Sequence, residues 1–414
     1  MPDAVRTVDA VWRIESAKII GTIARMTGDL SLAEDVAQEA VADALTQWPT
    51  AGVPTNPGAW LTTVAKRKAI DTWDRRRRLD DRYRSLAHDL DESIAGADEW
   101  QPIEDDILRL VFTACHPVLG REAQIALTLR IVGGLSTAEI ARMFFVPVAT
   151  VQQRIVRAKA TLGAANVAFE VPEASEWRER IGAVLGVAYL IFTEGYAATT
   201  GDQWIRRDLA DEGLRLARVL AGLLPREPEA QALVALMEFQ ASRFGARMTP
   251  DGTPILLADQ DRGRWDHSQI ERGRVALARA DAVARGRGRG PYALQAAIAE
   301  CHATAPRFAD TDWDRIVLLY EALASIAPNP IVDLSRAVAV SMATGPANAL
   351  RIVDRIGTDG ALRGSHLLPS IRGELLSKLG RAEEARSELL AAARLATNTR
   401  ERDVLLAKAA ALES

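Results

Sequence analysis

A chain of 414 residues, 48% hydrophobic and 26% charged with a net charge of −4, has room for two to four domains and an ordinary globular composition. No apolar run approaches the roughly 18 residues of a membrane span, and the acid-bearing start lacks a signal-peptide core, which predicts a cytoplasmic protein. Two cysteines, Cys115 and Cys301, exclude a disulfide framework.

Apolar residues recur at three- and four-residue steps almost throughout, so the predicted fold class is all-α. The first block, about 8 to 84, breaks at "TGD" and at "WPTAGVPTNPG" and holds three or four helices. One of them is acidic, with Asp29, Glu34, Asp35, Glu39 and Asp43 outside and Leu32, Val36, Ala40, Ala44 and Leu45 packing. It would repel phosphate, so it is either a docking face for a basic protein surface or a solvated face. The next helix places Trp60, Leu61, Val64, Ala69, Ile70 and Trp73 on an apolar face beside Lys66, Arg67, Lys68 and Arg75, Arg76, Arg77 and Arg78. Basic charge among aromatics suits phosphate contacts and base stacking; tryptophans in a core are the other reading.

From Lys66 to Arg84 nine basic residues stand against four Asp, and from Ser85 to Leu108 eight acids stand with no Lys or Arg. That second stretch, with Gly96 and Pro102, reads as an acidic linker. A second helical block follows from Asp105 to about Leu162, where seven basic residues between Arg109 and Ala168 face two acids. In it Ser136 and Glu139 have capping-box spacing, with Ile140, Ala141, Phe144 and Phe145 behind them. Pro147 can open a further helix, in which Val148, Val151, Ile155 and Ala158 face inward and Thr150, Gln152, Gln153, Arg154 and Arg157 outward. Such a helix-turn-helix can enter a major groove, its glutamines and arginines reaching base edges or phosphates.

The remainder is helical, with a turn-rich interruption at 248–266 and a small hairpin expected around Asp251-Gly252. Two stretches, 313–356 and 366–412, have a turn, a helix start and small packing residues in the manner of tetratricopeptide units.

Three motifs in order, "AEDVAQEA", "WLTTVAKRKAIDTWDRRRR" and "LSTAEIARMFFVPVATVQQRIVRAKATL", resemble bacterial RNA polymerase sigma factors of the extracytoplasmic-function class. "DDILRLVFTACHPVL", "FTEGYAAT", "DQDRGRW" and "NPIVDLSRAVAV" look like its subgroup with a tetratricopeptide-like C-terminal extension, so the resemblance covers nearly the whole chain. It implies sigma domain 2 at 1–84, the acidic linker at 85–103, sigma domain 4 at 104–168 and a helical regulatory extension at 169–414. It also implies that Asp29, Glu34, Asp35, Gln38 and Glu39 face the polymerase. Trp60, Lys66, Arg67, Lys68, Asp71 and Arg75 to Arg78 would lie by the −10 element. Ser136, Thr137, Thr150, Gln152, Gln153, Arg154, Arg157 and Lys159 would lie by the −35 element. Arg67 stands where relatives commonly have asparagine, and Asp74 where a basic residue is usual; both bear on −10 preference rather than on the place of the site. In related factors the linker threads a positively charged RNA path, so its acids would mimic nucleic acid there; a plain acidic tether is the alternative.

The implied partners are core RNA polymerase, promoter DNA and a protein partner of the extension, with no membrane, cofactor, metal or covalent chemistry. The Cys115-His116 and Cys301-His302 pairs do not suit zinc, since neighbours on a helix point about 100° apart; buried structural cysteines are expected. Turn chemistry accounts for Asp259, Asp261 and Asp266 near His267. The competing reading from another class is a DNA-binding helical scaffold that no longer acts with polymerase.

Overall fold

The computed structural model describes residues 2–84, 103–144, 146–172, 176–196, 207–249, 254–360, 362, 364–396 and 399–412. Among these the fold is all-α, with one isolated antiparallel bridge between Met248 and Pro254. That bridge brackets the expected hairpin, whose Asp251-Gly252 tip lies outside the described residues. The chain divides into two compact units, 1–187 and 188–414.

In the N-terminal unit, α1 (Pro2–Thr27) packs on α2 (Leu30–Ala51), α3 (Pro57–Arg84) and α4 (Ile103–Ala114). Beyond it, α5 (Arg121–Ile131) packs on α7 (Val148–Ala164), with α6 (Thr137–Phe144) against both. The first block therefore has three helices. Its α2 runs on through Pro49 to Ala51 rather than breaking at the tryptophan before it. Asp29 caps α2 by accepting hydrogen bonds from the Ser31 and Leu32 amides. Ile19, Ile20, Ile23, Ala33, Ala37, Leu61 and Ala65 close the α1–α3 core, and Leu127, Leu129, Ile131 and Leu135 the second one. Three expected core residues are turned outward: Leu45 is 39% exposed, Ile70 49% and Val148 40%. Each lies at the margin of its apolar stripe, where a period of 3.6 carries it off the packed face.

The C-terminal unit is built around α10 (Pro228–Ala241), on which α9 (Arg207–Leu223), α11 (His267–Ala284) and α12 (Pro291–Thr304) pack. Almost every side chain of α10 from Ala230 to Phe239 is buried, so it shows no single polar face. From there α13 (Trp313–Ile326), α14 (Pro330–Thr344), α15 (Pro346–Asp359), α16 (Leu367–Lys378), α17 (Ala382–Leu395) and α18 (Thr399–Ala410) each pack on the next. The helices of this unit are thus stacked serially, each on its neighbour in the chain. Leu334, Ala337, Ala349, Val353, Leu376 and Ala385 form one continuous apolar seam along it.

The "DQDRGRW" stretch is a strap on this unit. Arg262 donates to the Ala305 carbonyl at 2.8 Å and to that of His302, while its guanidinium lies 4.8 Å from the Trp265 ring. Arg243 stacks on the same indole at 5.4 Å. Asp266 caps α11, and Asp261 accepts from the Gly263 amide, so the aspartates near His267 are turn and cap residues.

Candidate polymerase and promoter interface

On α2 the buried stripe Leu32, Ala33, Val36, Ala37, Ala40 and Ala44 leaves Asp35 and Glu39 exposed and Gln38 half-buried on the opposite side. Glu34, expected to face outward with them, does not. Its side chain is buried on the flank of the stripe, where Arg130 Nε of α5 donates to one oxygen at 2.5 Å and the Lys159 ammonium of α7 forms an ion pair with the other. Burial pushes this carboxyl up, but the two cations outweigh it and hold it below the usual carboxylate range.

On α3, Lys66, Arg67 and Asp71 are exposed, and Trp60 is half-buried with its ring edge-on to Trp48 at 5.5 Å. Trp60 is thus part core contact and part available face. Lys68 instead reaches back to α2, 3.0 Å from Asp43 and 3.3 Å from Glu39, so one expected −10 contact is tied to an expected polymerase contact. Arg75, Arg76, Arg77 and Arg78 lie on the α3 helix, and their side chains fall outside the described residues.

The helix-turn-helix is assembled as its sequence demands. The Ser136 amide donates to Glu139 at 2.8 Å and the Glu139 amide donates to the Ser136 hydroxyl at 3.2 Å, a complete capping box at the start of α6. Val151, Ile155, Ala158 and Leu162 anchor α7. Gln152, Gln153 and Arg157 then project outward together and Thr150 is half-buried, while Ser136 and Thr137 sit half-buried at the α6 start. Arg154 is partly engaged, 2.6 Å from Glu122 of α5. Lys159 is the departure: its side chain is 13% exposed and is turned inward to Glu34 instead of toward a groove.

Several groups here had no distinctive signal in the sequence. Arg130 donates to Glu34 and also to the Leu135 carbonyl at 3.0 Å, fixing the turn before α6. A lone cation inside the apolar "IALTLRIVGG" was the available hint, since a buried guanidinium requires a carboxylate. Arg13 meets Glu139 at 2.5 Å, the Trp12 indole donates to the Gly134 carbonyl at 3.1 Å, and Arg25 pairs with the buried Asp106 at 3.0 Å. These partners are separated by 81 to 126 residues, beyond any local pattern.

Other clusters are structural. A cleft of about 730 Å³ in the C-terminal unit is lined by Arg218 and Arg272, but both spend their charge on Glu238, which is 1% exposed. Cys115 and Cys301 are buried free thiols. Burial raises the Cys115 thiol to about 11, so it is held as a neutral packing group. Among the described residues no group of three or more His, Cys, Asp or Glu could hold a metal ion, and no helix is long and apolar enough to cross a membrane.

Three family matches fall on this chain: sigma-70 region 2 on residues 14–79, sigma-70 region 4 on 109–162, and a family of unknown function on 180–281. A Rhizobium meliloti protein (strain 1021), described only as uncharacterized, is 45% identical over 92% of this chain and 90% of its own length. The probable ECF RNA polymerase sigma factor SigI of Mycobacterium tuberculosis is 28% identical over 40% of this chain and 58% of its own. Among solved structures yeast Tom70 is similar over 93% of this chain and 81% of that one, at 9% identity and a TM-score of 0.37, too low to bear on fold or function. With region 2 on α1–α3, region 4 on α4–α7 and a helical extension behind them, the chain belongs to the extracytoplasmic-function family of RNA polymerase sigma factors.

Proposed function

We propose that the protein is an alternative sigma factor that binds core RNA polymerase and directs it to promoters, with the helical extension modulating that activity. The observation that carries the reading is the outward row of Gln152, Gln153 and Arg157 on α7, set on a buried Val151-Ile155-Ala158 anchor behind a capped helix-turn-helix. In this reading Asp35, Gln38 and Glu39 meet a basic surface of the polymerase, with Asp29 shaping the start of their helix. Lys66, Arg67, Asp71 and Arg75 to Arg78 lie along the −10 region, with Trp60 at the edge. Thr150, Gln152, Gln153, Arg154 and Arg157 enter the −35 groove beside Ser136 and Thr137. The working boundaries are 1–84 and 104–168 for the two sigma domains, 85–103 for the acidic linker and 169–414 for the regulatory extension. The bonds are made by the polymerase; the sigma factor contributes position and strand opening.

The test is transcription in vitro with core polymerase over genomic fragments, comparing the full chain with a truncation ending near residue 168. Transcripts from defined starts with the full chain support the reading. A gain on truncation makes the extension inhibitory, and a loss makes it required. Absence of any start with both forms, while control sigma factors initiate, favours the scaffold alternative.

A further inference from the structure

The strap on the C-terminal unit also forms one wall of a cleft of about 680 Å³, a volume in the range of small-molecule sites. Arg262 and Trp265 line it from the strap. His267, Ile270 and Arg274 line it from one face of α11, at the spacing of successive helical turns. The turn from Ala303 to Pro306 closes its end. Unlike Arg218 and Arg272, which share the buried Glu238, the strap arginines touch only neutral acceptors. Arg262 donates to the His302 and Ala305 carbonyls and to the Thr311 hydroxyl at 3.4 Å, and Arg243, on the same indole, donates to Gln260 Oε1 at 3.1 Å. Burial, and then the nearby Arg243, lower the Arg262 guanidinium from its ordinary value. The one carboxylate on the cleft wall is Glu271, 3.1 Å from Arg274 in an exposed pair of the kind that exchanges readily. Two arginines against one glutamate leave the wall net positive.

Two further observations point to a ligand. Arg262 is pinned by its three acceptors and by the Trp265 ring 4.8 Å away, so the direction of its fork is set in advance, and its Nε–H takes part in none of those bonds. Trp265 is 3% exposed, and its indole N–H has no acceptor among the described residues. A buried donor left unpaired is costly, and an acceptor brought by a ligand relieves that cost. We propose that this cleft binds a phosphate group, free or on a small ester, through Arg262, Arg274 and the Trp265 indole N–H. A carboxylate offers two oxygens and one charge. A phosphate offers three or more oxygens and nearly two charges, which suits separate donors on both walls. Ile270 and the Ala303–Pro306 turn supply the apolar surface for the organic part of an ester. The site lies wholly within the C-terminal unit and stands independently of the sigma-factor reading.

Isothermal titration calorimetry on the full chain tests this, with inorganic phosphate and ribose 5-phosphate as separate probes at an ionic strength held constant with sodium chloride. The wild type should bind at least one probe saturably, with a Kd on the order of 1 mM or tighter. Arg274→Gln removes a cation that is 54% exposed, and it should weaken binding about tenfold. Trp265→Phe keeps an aromatic face for Arg243 and Arg262 but removes the indole donor, and it should weaken binding about threefold. Arg355→Gln, at an exposed position on α15, should leave the affinity as it is. Equal affinity for the two probes identifies free phosphate as sufficient, and tighter binding of the ester shows that the apolar wall engages its sugar; both support the site. No saturable heat with either probe overturns it. So does an affinity unchanged in both Arg274→Gln and Trp265→Phe, or an equal loss in Arg355→Gln, which would mean diffuse attraction of anions to surface arginines. If Trp265→Phe loses its helical circular dichroism, Arg274→Gln decides, since its side chain lies outside the core.

Discussion

In the N-terminal unit the helices on either side of the acidic segment meet across charged and polar groups: Glu34 with Arg130 and Lys159, Asp106 with Arg25 and Arg109, and the Trp12 indole on a carbonyl. In the C-terminal unit close approaches are made with no side chain at all on one partner, as Gly21 of α1 also makes on the Asp106 backbone in the first unit. Gly213 of α9 lies so near Phe192 that a Cβ would stand 2.7 Å from the Phe192 amide nitrogen, and Gly273 of α11 receives the Phe239 ring in the same way. The difference has a physical consequence. Enclosed ions carry a large desolvation cost that water, salt or a competing charged surface can relieve, so their net contribution is small and reversible. Interdigitated apolar surfaces lose their contacts outright when separated and gain nothing from a charged competitor. The first unit thus adds enclosed ion pairs to its apolar core, while the approaches at Gly213 and Gly273 in the second rest on apolar packing.

The comparison breaks most visibly at Gly213. Gly213→Ala forces a methyl against backbone that cannot yield, and it should destabilise the C-terminal unit by about 3 kcal/mol. Hydrogen exchange should show the loss in α8 (Trp177–Tyr196), which carries Phe192, and in α9 and α10, and leave α2 to α7 protected as before. A loss confined to α1–α7 would reverse the assignment of the rigid half.

The next largest effect separates the units by pH. Burial, with help from Arg243 and Arg262, drives the His302 imidazole down from its ordinary 6.5 to about 4. The folded protein thus favours the neutral ring, so this stability is complete above the ordinary histidine value and is lost as pH falls toward the folded one. Between roughly pH 7 and pH 5 the loss should reach about 2 kcal/mol. An acid titration of thermal stability in wild type and His302→Gln checks it. A wild-type curve as flat as the variant's would show that the ring is solvated in the native state.

The smallest effect probes the ionic side. Arg13 is 58% exposed, so Arg13→Ala should cost the N-terminal unit only about 0.5 kcal/mol at low salt and almost nothing near molar salt. An effect that persists at high salt would mean that the arginine acts through packing rather than charge.

Much of the site was legible because its signals are local. Ser136 and Glu139 announce a helix start three residues apart, Pro147 precedes the next helix, and the spacing of Val151, Ile155 and Ala158 leaves Gln152, Gln153 and Arg157 on the far face. Leu45, Ile70 and Val148 were misplaced because periodicity locates the centre of an apolar stripe better than its margin. The role of "DQDRGRW" was out of reach for another reason: Arg262 finds its carbonyl partners 40 and 43 residues downstream.

Helical periodicity and capping residues by themselves determined the all-α class and the helix-turn-helix, since each depends on neighbours within a turn or two of chain, and three ordered motifs carried the resemblance to the family. Only the tertiary structure decided which charges remain available. Glu34 and Lys159 carry the right residue types for polymerase and DNA, yet they face each other, because the low-dielectric contact between α2 and α7 leaves a buried charge no better partner than its opposite.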